Sequence, residues 1–291
     1  MPATARIALL AACFLWAVSF IATKVAVGSV PPLTVVALRL VISALCFLVW
    51  ILASGRAGVP RSTLPGLLGL SLLGTGLHYG IQTIGLQFTT ASNAALYTIT
   101  APITIVLFAA FLLKERVSRR KVVGILVAVA GVLTVMGLDT LLAVELGGHV
   151  LGDLLVLASI VMWGLFTVAG KRLTDRLGAL RVTAWVTVIG ALWMAPVGWV
   201  EARTLRFDLA TITVSAWVAI AFLGVMCSFL ATLLYFVALE RRESHKVGAY
   251  LYTLPPMTAV IAALYLGEHL GVGFLVGSLL VFAGVALTES A

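Results

Sequence analysis

Two segments of the chain share one pattern: residues 97–131 read YTITAPITIVLFAAFLLKERVSRRKVVGILVAVAG, and residues 250–284 read YLYTLPPMTAVIAALYLGEHLGVGFLVGSLLVFAG. Five of the identities at an offset of 153 residues involve Tyr, Pro, Glu or Gly, which is too many to be a coincidence over so short a length. An internal repeat of this kind indicates that the chain consists of two copies of one structural unit. The paired residues are Tyr97 and Tyr250, Pro102 and Pro255, Glu115 and Glu268, Gly124 and Gly277, and Gly131 and Gly284.

The composition excludes a water-soluble domain. Of the 291 residues, 62% are hydrophobic and only 10% are charged, whereas about a quarter of an ordinary globular chain is charged. A membrane-spanning helix needs about 20 apolar residues, so the chain has room for ten spans and little else. The apolar runs predict an all-α integral membrane protein with helices at about 5–27, 32–54, 63–87, 91–113, 119–137, 150–172, 180–199, 214–239, 244–266 and 270–288.

Five helices in each half make the second copy inverted in the membrane, because five is an odd number. The predicted repeats are residues 1–145 and 146–291. A second, weaker match at an offset of 147 residues pairs Trp16 with Trp163 and Lys24 with Lys171. Inverted repeats are common in secondary transporters, since a pseudo-twofold axis in the membrane plane lets one structure open to either side.

The basic residues predict the orientation of the chain. The net charge is +8, which in a soluble protein would suggest nucleic acid as a partner. If the N-terminus lies inside, fifteen Lys and Arg residues fall on the inner side and only Arg203 and Arg206 lie in outer loops. This positive-inside bias predicts that both termini are cytoplasmic. It also explains the charge without a nucleic-acid partner.

Both repeats contain the pattern Pro-x12-Glu-x8-Gly-x6-Gly, and the first also contains GLQFTTAS at residues 85–92. With Trp16 on the first helix and Arg39 on the second, the whole chain resembles the drug/metabolite transporter superfamily, specifically its EamA-type exporters. The resemblance implies a ten-helix exporter of small metabolites, often amino acids, in the bacterial inner membrane. It leaves the substrate open, because the superfamily also includes carriers resembling multidrug, sugar and nucleotide-sugar transporters.

The predicted binding site lies near the bilayer midplane. Trp16 and Trp163 fall near the centres of the first and sixth helices, away from the interfaces where membrane tryptophans usually concentrate. Each indole offers a stacking surface and one N–H donor. Simple helix packing is the alternative interpretation. Phe20, one turn beyond Trp16, is a further candidate for the cavity wall.

Tyr97 and Tyr250 each precede a helical proline by five residues, and both are predicted to bind substrate. Pro102, Pro255 and Pro256 remove backbone donors and leave the carbonyls four residues earlier without their usual partners. In lipid such carbonyls need protein, hydroxyl or water partners, so these kinked helices are expected to border the translocation path. Alternatively, Thr100 and Thr253 bond the freed carbonyls and the prolines only bend their helices.

His78 is the only histidine well inside a predicted span, and Tyr79 and Gln82 lie beside it. An ionisable group in a membrane is costly and usually functional, so these three residues are candidates for contact with substrate. His78 suits either a proton-linked role or a hydrogen bond to substrate; the alternative is a neutral histidine bonded to a neighbouring carbonyl. Arg39 either binds a carboxylate or bonds an opposing helix end, and Tyr235 is a candidate for the cytoplasmic vestibule.

The sequence provides no sign of an intramembrane enzyme. HExxH, GxSxG and a pair of midspan aspartates are all absent, so no catalytic residue is assigned. The three cysteines lack metal-ligand spacing, and neither a metal nor a cofactor is expected. The resulting hypothesis is alternating-access export of amino acids, including large neutral or aromatic ones. The oligomeric state and the coupling to protons are left open.

Overall fold

The computed structural model describes residues 3–54, 58–89, 94, 97–115, 118–142, 150–266 and 272–290. These described residues form ten long helices and contain no strand. The helices are α1 (Ala3–Val27), α2 (Pro32–Ser54), α3 (64–88), α4 (Thr100–Leu113), α5 (Arg119–Leu142), α6 (Val150–Leu177), α7 (Ala179–Thr204), α8 (Val214–Arg241), α9 (244–266) and α10 (Val272–Ser290).

Helices α1, α2, α6, α7 and α8 are each long and apolar enough to cross a bilayer on their own. Their outer faces carry large apolar side chains: Val49 is 69% exposed, Leu52 80% and Leu192 71%. Such a surface would be unstable in water but matches the hydrocarbon of a membrane. The chain is therefore an all-helical, multi-pass membrane protein.

Several helices extend beyond their predicted ends. Helix α5 ends at Leu142 rather than near 137, α6 at Leu177 rather than 172, and α7 at Thr204 rather than 199. Apolar runs mark only the part of a helix that lies in hydrocarbon, whereas the backbone continues through polar turns. The last turns of α6 are polar, and there Lys171 pairs with Asp175 at 2.6 Å. The predicted first residues of the fourth and tenth spans lie outside the described residues.

The packing of the ten helices has the pseudo-twofold relation expected of the repeats. Helix α5 packs along α10, and α2 packs along α7, so each pair joins equivalent helices of the two halves. The contact of α3 with α6 is matched by that of α8 with α1, and the contact of α4 with α6 by that of α9 with α1. The predicted boundary between residues 145 and 146 falls in a segment outside the described residues and stays a prediction.

Irregular backbone occurs at equivalent places in the two halves. Helix α3 changes to a π-helix over Ser71–His78, and α8 does so over Leu223–Ala231. The chain just before α4 forms a turn at residues 98–99, and α9 contains a 3₁₀ segment over Ala249–Thr253. Within a membrane, π and 3₁₀ segments often mark functional positions, since they rotate side chains out of the regular helical register.

Candidate central binding site

A cavity lies between helices α1, α2, α3, α6 and α9 and the start of α4. Its volume, measured as the space open to the centre of a water molecule, is about 70 Å³. This is room for several water molecules. Seven of the side chains named from sequence line it, namely Trp16, Phe20, Arg39, His78, Tyr79, Gln82 and Trp163. Residues that are distant in sequence, on four helices, thus meet at one place.

Ring contacts continue from the cavity into the protein core. Trp16 meets Trp163 edge-on, with 5.1 Å between ring centroids, and both tryptophans contact Tyr235, at 5.2 and 5.5 Å. Trp163 also contacts Phe166, and Tyr235 contacts Phe236. These five residues form an aromatic cluster next to the cavity: the two tryptophans line the space, and Tyr235, which contacts both of them, is fully buried.

His78 is held in one orientation by the sixth helix. Its Nδ1 lies 2.8 Å from the carbonyl oxygen of Ser159. A carbonyl only accepts hydrogen bonds, so Nδ1 carries the proton and donates it, and in the neutral ring Nε2 is an acceptor. The carbonyl bond anticipated from the sequence is therefore present, and it coexists with a place in the cavity wall. The ring also contacts Trp163 at 5.2 Å and Tyr79 at 5.1 Å.

Arg39 is only 4% exposed. The rings of Trp163, His78 and Tyr79 contact one another in that order, and Arg39 lies next to Tyr79, at the end away from Trp163. Its Nε donates to the Ser228 hydroxyl on α8 at 2.9 Å, and its Cζ lies 4.2 Å from the centroid of the Tyr79 ring. The sequence left two roles open for Arg39. The structure shows a bond to an opposing helix, although to a midspan serine rather than to a helix end, and it also places the side chain at the cavity.

The twin tyrosines lie away from this cavity. Tyr97 is half-buried beside Asp153, whose carboxylate accepts a 2.5 Å hydrogen bond from Thr89. Tyr250 is buried and borders a second cavity together with Arg6 and Thr253. Helices α4 and α9 do border the central cavity, but they do so through other residues.

Those other residues are themselves a repeat-related set. Thr98 and Ala101 line the cavity from the start of α4, and Leu251 and Leu254 line it from α9. Thr98 corresponds to Leu251 and Ala101 to Leu254 at the same offset of 153 residues that relates the two tyrosines. The repeat alignment therefore contained the signal for them. Tyr97 and Tyr250 are the predicted pair because they are identical in the two repeats, whereas Thr98 and Leu251 differ.

The threonines near the prolines bond different carbonyls from those anticipated. Thr100 Oγ1 donates to the carbonyl of Tyr97 and Thr253 Oγ1 to that of Tyr250, each at 2.7 Å. A threonine hydroxyl on a helix reaches the carbonyl three or four residues earlier, and here it selects the residue three earlier.

The carbonyls that Pro102 and Pro255 free are bonded by the backbone itself. The amide of Ala101 donates to the carbonyl of Thr98 at 3.0 Å, and that of Leu254 to the carbonyl of Leu251. Each bond spans three residues, so the chain tightens into a 3₁₀ turn immediately before the proline. This turn explains why equivalent irregular segments occur at residues 98–99 and 249–253.

Glu115, a member of the repeated motif, joins the two halves of the molecule. Its Oε1 accepts from the backbone amide of Ser244, the first residue of α9, at 3.1 Å, and its Oε2 lies 2.6 Å from His245 Nδ1. Burial by itself raises the pKa of Glu115, but the hydrogen bonds from His245 and Ser244 outweigh it and hold that pKa below its ordinary value. Its counterpart Glu268 lies outside the described residues.

Metal ligands are not grouped in the part of the chain that the structure describes. No three His, Cys, Asp or Glu side chains there gather at metal-binding distance. The expectations of no metal and no cofactor stay predictions.

Comparison with known proteins agrees with this architecture. A relative in Bacillus subtilis, named an uncharacterized transporter, is 29% identical over all of this chain and 93% of its own length. A probable terminal-alkyne amino-acid exporter of Streptantibioticus cattleyicolor is 28% identical over 94% of this chain and 89% of its own. One solved crystal structure has a TM-score of 0.79 at 23% identity, covering 100% of this chain and 98% of that one, which shows a shared fold.

The family comparison covers both repeats separately. The model of the EamA-like transporter family matches residues 4–137 and again residues 150–290. Its two matches lie on either side of the segment in which the sequence placed the repeat boundary. The helical fold, the inverted packing and the cavity at its centre are all in accord with transport of a small molecule across the bilayer. This chain belongs to the EamA-like transporter family.

Proposed function

We propose that this transporter exports neutral amino acids, including those with large apolar or aromatic side chains, by alternating access around the central cavity. The observation that supports this most is the composition of the cavity wall, in which Trp16 and Trp163 face a small set of polar groups. Aromatic rings accept an apolar side chain, and the polar groups fix its orientation. The Streptantibioticus relative, named a probable amino-acid exporter, supports the same substrate class.

The positions of the two cavities along α1 support alternating access. The central cavity touches α1 at Trp16, Ser19 and Phe20, whereas the second cavity touches it at Arg6 and Leu10. Arg6 and Ser19 are roughly 20 Å apart along the helix axis, at a rise of about 1.5 Å per residue. With the N-terminus in the cytoplasm of a bacterial cell, the central cavity lies toward the periplasm. The aromatic cluster then lies on its cytoplasmic side and closes that route.

Carriers of multidrug or sugar type remain the alternatives within the fold. Arg39 argues against lipophilic cations, because a second positive charge next to a buried guanidinium is repelled in a medium of low dielectric constant. The apolar rings argue against sugars, whose hydroxyl groups need many hydrogen-bond partners.

Counterflow in proteoliposomes tests the proposal without assuming a driving ion. Vesicles are loaded with an unlabelled mixture of amino acids, and the entry of labelled phenylalanine, leucine, methionine and threonine is followed. We expect entry above that of protein-free vesicles, with phenylalanine and leucine ahead of threonine. Absence of entry for all four by folded protein would overturn the proposal.

A matched pair of variants connects this activity to the cavity. Trp163→Ala removes a ring that lines the cavity, whereas Trp193→Ala removes one that is 49% exposed on the outer face of α7. We expect Trp163→Ala to lower counterflow at least about tenfold, because ring packing contributes ~1.5 kcal/mol beyond the buried area. Trp193→Ala should retain the wild-type rate. Equal rates for the two variants would place the binding site elsewhere.

A further inference from the structure

Arg39 is a buried charge that no described carboxylate neutralises. The guanidinium remains protonated under all physiological conditions, and taking it out of water costs several kcal/mol unless a counter-charge is present. Its contacts are with a hydroxyl, Ser228 Oγ, and a ring face, Tyr79. Neither carries a negative charge. Among the described residues, no carboxylate forms a salt bridge with it.

The hydrogen bonding of Arg39 leaves its outer edge available. The guanidinium has five N–H donors, and the bond to Ser228 uses the one on Nε. The four donors on the two Nη atoms form no hydrogen bond with any described residue. These two nitrogens are not among the fully buried polar atoms that lack a partner, so they reach open space. Since Arg39 lines the central cavity, this edge faces the space in which a solute would lie.

The two contacts that exist hold the side chain in place. The bond to Ser228 fixes Nε from the side of α8, and Tyr79 supports one face of the guanidinium plane at 4.2 Å. A planar donor that is held in this way requires little further ordering when it binds an anion. The geometry is that of a binding group that is positioned before the ligand arrives.

We propose that Arg39 binds the carboxylate of the transported solute, so that the substrate class is restricted to carboxylic acids with an apolar body. This inference rests on the proposed function and specifies which end of the amino acid is recognised. Arginine and carboxylate form paired, charge-assisted N–H···O bonds, which are among the strongest in proteins. The carboxylate neutralises Arg39 in the bound state.

The remainder of the cavity accommodates the other end of such a solute. From Arg39, ring contacts lead through Tyr79 and His78 to Trp163, with successive centroids about 5 Å apart. A side chain attached to the bound carboxylate extends along these rings. An ammonium group, where present, meets the faces of aromatic rings, which attract cations.

Four probes of similar shape separate recognition of the acid from recognition of the amine: L-phenylalanine, L-phenylalanine amide, 3-phenylpropionate and phenethylamine. The thermal unfolding midpoint of the purified protein is measured with each, because a ligand that binds the folded state raises it. We expect phenylalanine and phenylpropionate to raise the midpoint. The amide and the amine, which lack a carboxylate, should leave it near its ligand-free value.

Three variants assign this selectivity to Arg39. Arg39→Met should lower the affinity for phenylalanine about 10- to 100-fold, the loss expected for hydrogen bonds to a charged group, and should abolish the preference for the acid over the amide. Arg203→Met is the matched control, since Arg203 also lies over an aromatic ring, 4.4 Å from the Trp199 centroid, but outside the cavity. Arg39→Lys keeps the charge without the planar pair of donors and should reduce the preference.

Ser228→Ala distinguishes binding from a purely structural role. It removes the bond to Arg39 Nε and leaves the outer donors in place, so the preference for the acid should persist with affinity reduced only a few-fold. If the only role of Arg39 were to join α2 to α8, Arg39→Met and Ser228→Ala would both lower stability and would leave selectivity unchanged.

Each pattern of results decides between the two proposals. If phenylpropionate binds and phenylalanine does not, the carboxylate site stands and amino-acid export is wrong. If phenylalanine and its amide bind equally, or Arg39→Met retains the preference for the acid, the carboxylate site is wrong and amino-acid export stands. If no probe raises the midpoint of the folded wild-type protein, both are overturned.

Discussion

At the scale of single residues, acidic side chains accept hydrogen bonds from backbone amides at the starts of other helices, and two of the three cases below join the two repeats. Glu115 accepts from the first amide of α9, Glu240 accepts from the Ala179 amide at the start of α7 at 2.7 Å, and Glu201 accepts from the Thr34 amide near the start of α2 at 2.7 Å. The first amides of a helix lack partners within the helix, and a negative charge there is favoured by the helix dipole. Within the described ranges, these carboxylates therefore join elements without an arginine partner.

Glu115→Gln is expected to lower the free energy of unfolding by about 1 kcal/mol at neutral pH, because charge-assisted bonds become neutral ones. The pKa of Glu115 is held below its ordinary value of 4.5. Its contribution is thus complete above that pH and is lost as the pH falls through the lower folded-state pKa. Thermal unfolding in detergent across this range measures the difference from wild type.

Glu243→Gln is the control for this variant. Glu243 also contacts His245, at 3.6 Å, but its side chain is 52% exposed, and exposed ion pairs contribute little. We expect its unfolding to match that of the wild type. A Glu115→Gln deficit that persists unchanged at acid pH would show that the ionised carboxylate is not its cause.

At the scale of elements, the repeated glycines form the contact between α5 and α10. A Cβ on Gly284 would lie 2.5 Å from the Ala128 amide nitrogen and 2.6 Å from the Gly124 carbonyl oxygen. A Cβ on Gly131 would lie 2.7 Å from the carbonyl oxygen of Gly277. Small residues let membrane helices approach backbone to backbone. The motif noticed in sequence as Gly-x6-Gly is thus a helix-packing surface and not part of the cavity.

Gly284→Val should destabilise the protein by about 1–3 kcal/mol, because the atoms that it meets belong to a backbone that cannot move aside. Gly69→Val on α3 is the matched control, since nothing lies within 4 Å of a Cβ at that position. The midpoint of thermal unfolding in detergent compares the two. If both variants have the same unfolding midpoint as the wild type, the close contact between α5 and α10 is wrong.

At the scale of the whole molecule, the orientation and the side on which the cavity opens make one joint prediction. In a variant in which Cys13, Cys46 and Cys227 are replaced, a cysteine at Ser19 in the central cavity should react with a membrane-impermeant maleimide from the periplasmic side. A cysteine at Ser290, at the end of α10 beside the second cavity, should react from the cytoplasmic side. Intact cells expose the periplasmic side to the maleimide, and inverted vesicles expose the cytoplasmic side. Labelling of Ser19→Cys from the cytoplasmic side and of Ser290→Cys from the periplasmic side would mean that the chain has the opposite orientation.

The amino-acid sequence by itself determined the fold class, the number of helices and the inverted repeat. Each depends on local or periodic properties: apolar runs of bilayer length, prolines and glycines at fixed spacing, and the positions of lysine and arginine. It also identified seven residues of the cavity wall. Four of them are tryptophan, histidine or arginine, which are conspicuous at midspan positions because tryptophan concentrates at the interfaces and buried charge is costly.

Only the tertiary structure decided which of these residues share one cavity. It separated Tyr250 from Trp163, added Thr98 and Leu254, and placed Arg39 between Ser228 and Tyr79. The reason is that the face a residue presents depends on how its helix is rotated. Here π and 3₁₀ segments change that rotation within α3, α8 and α9. Such a change depends on hydrogen bonds between the turns of a helix and on packing against other helices, which the spacing of residues along a chain does not record.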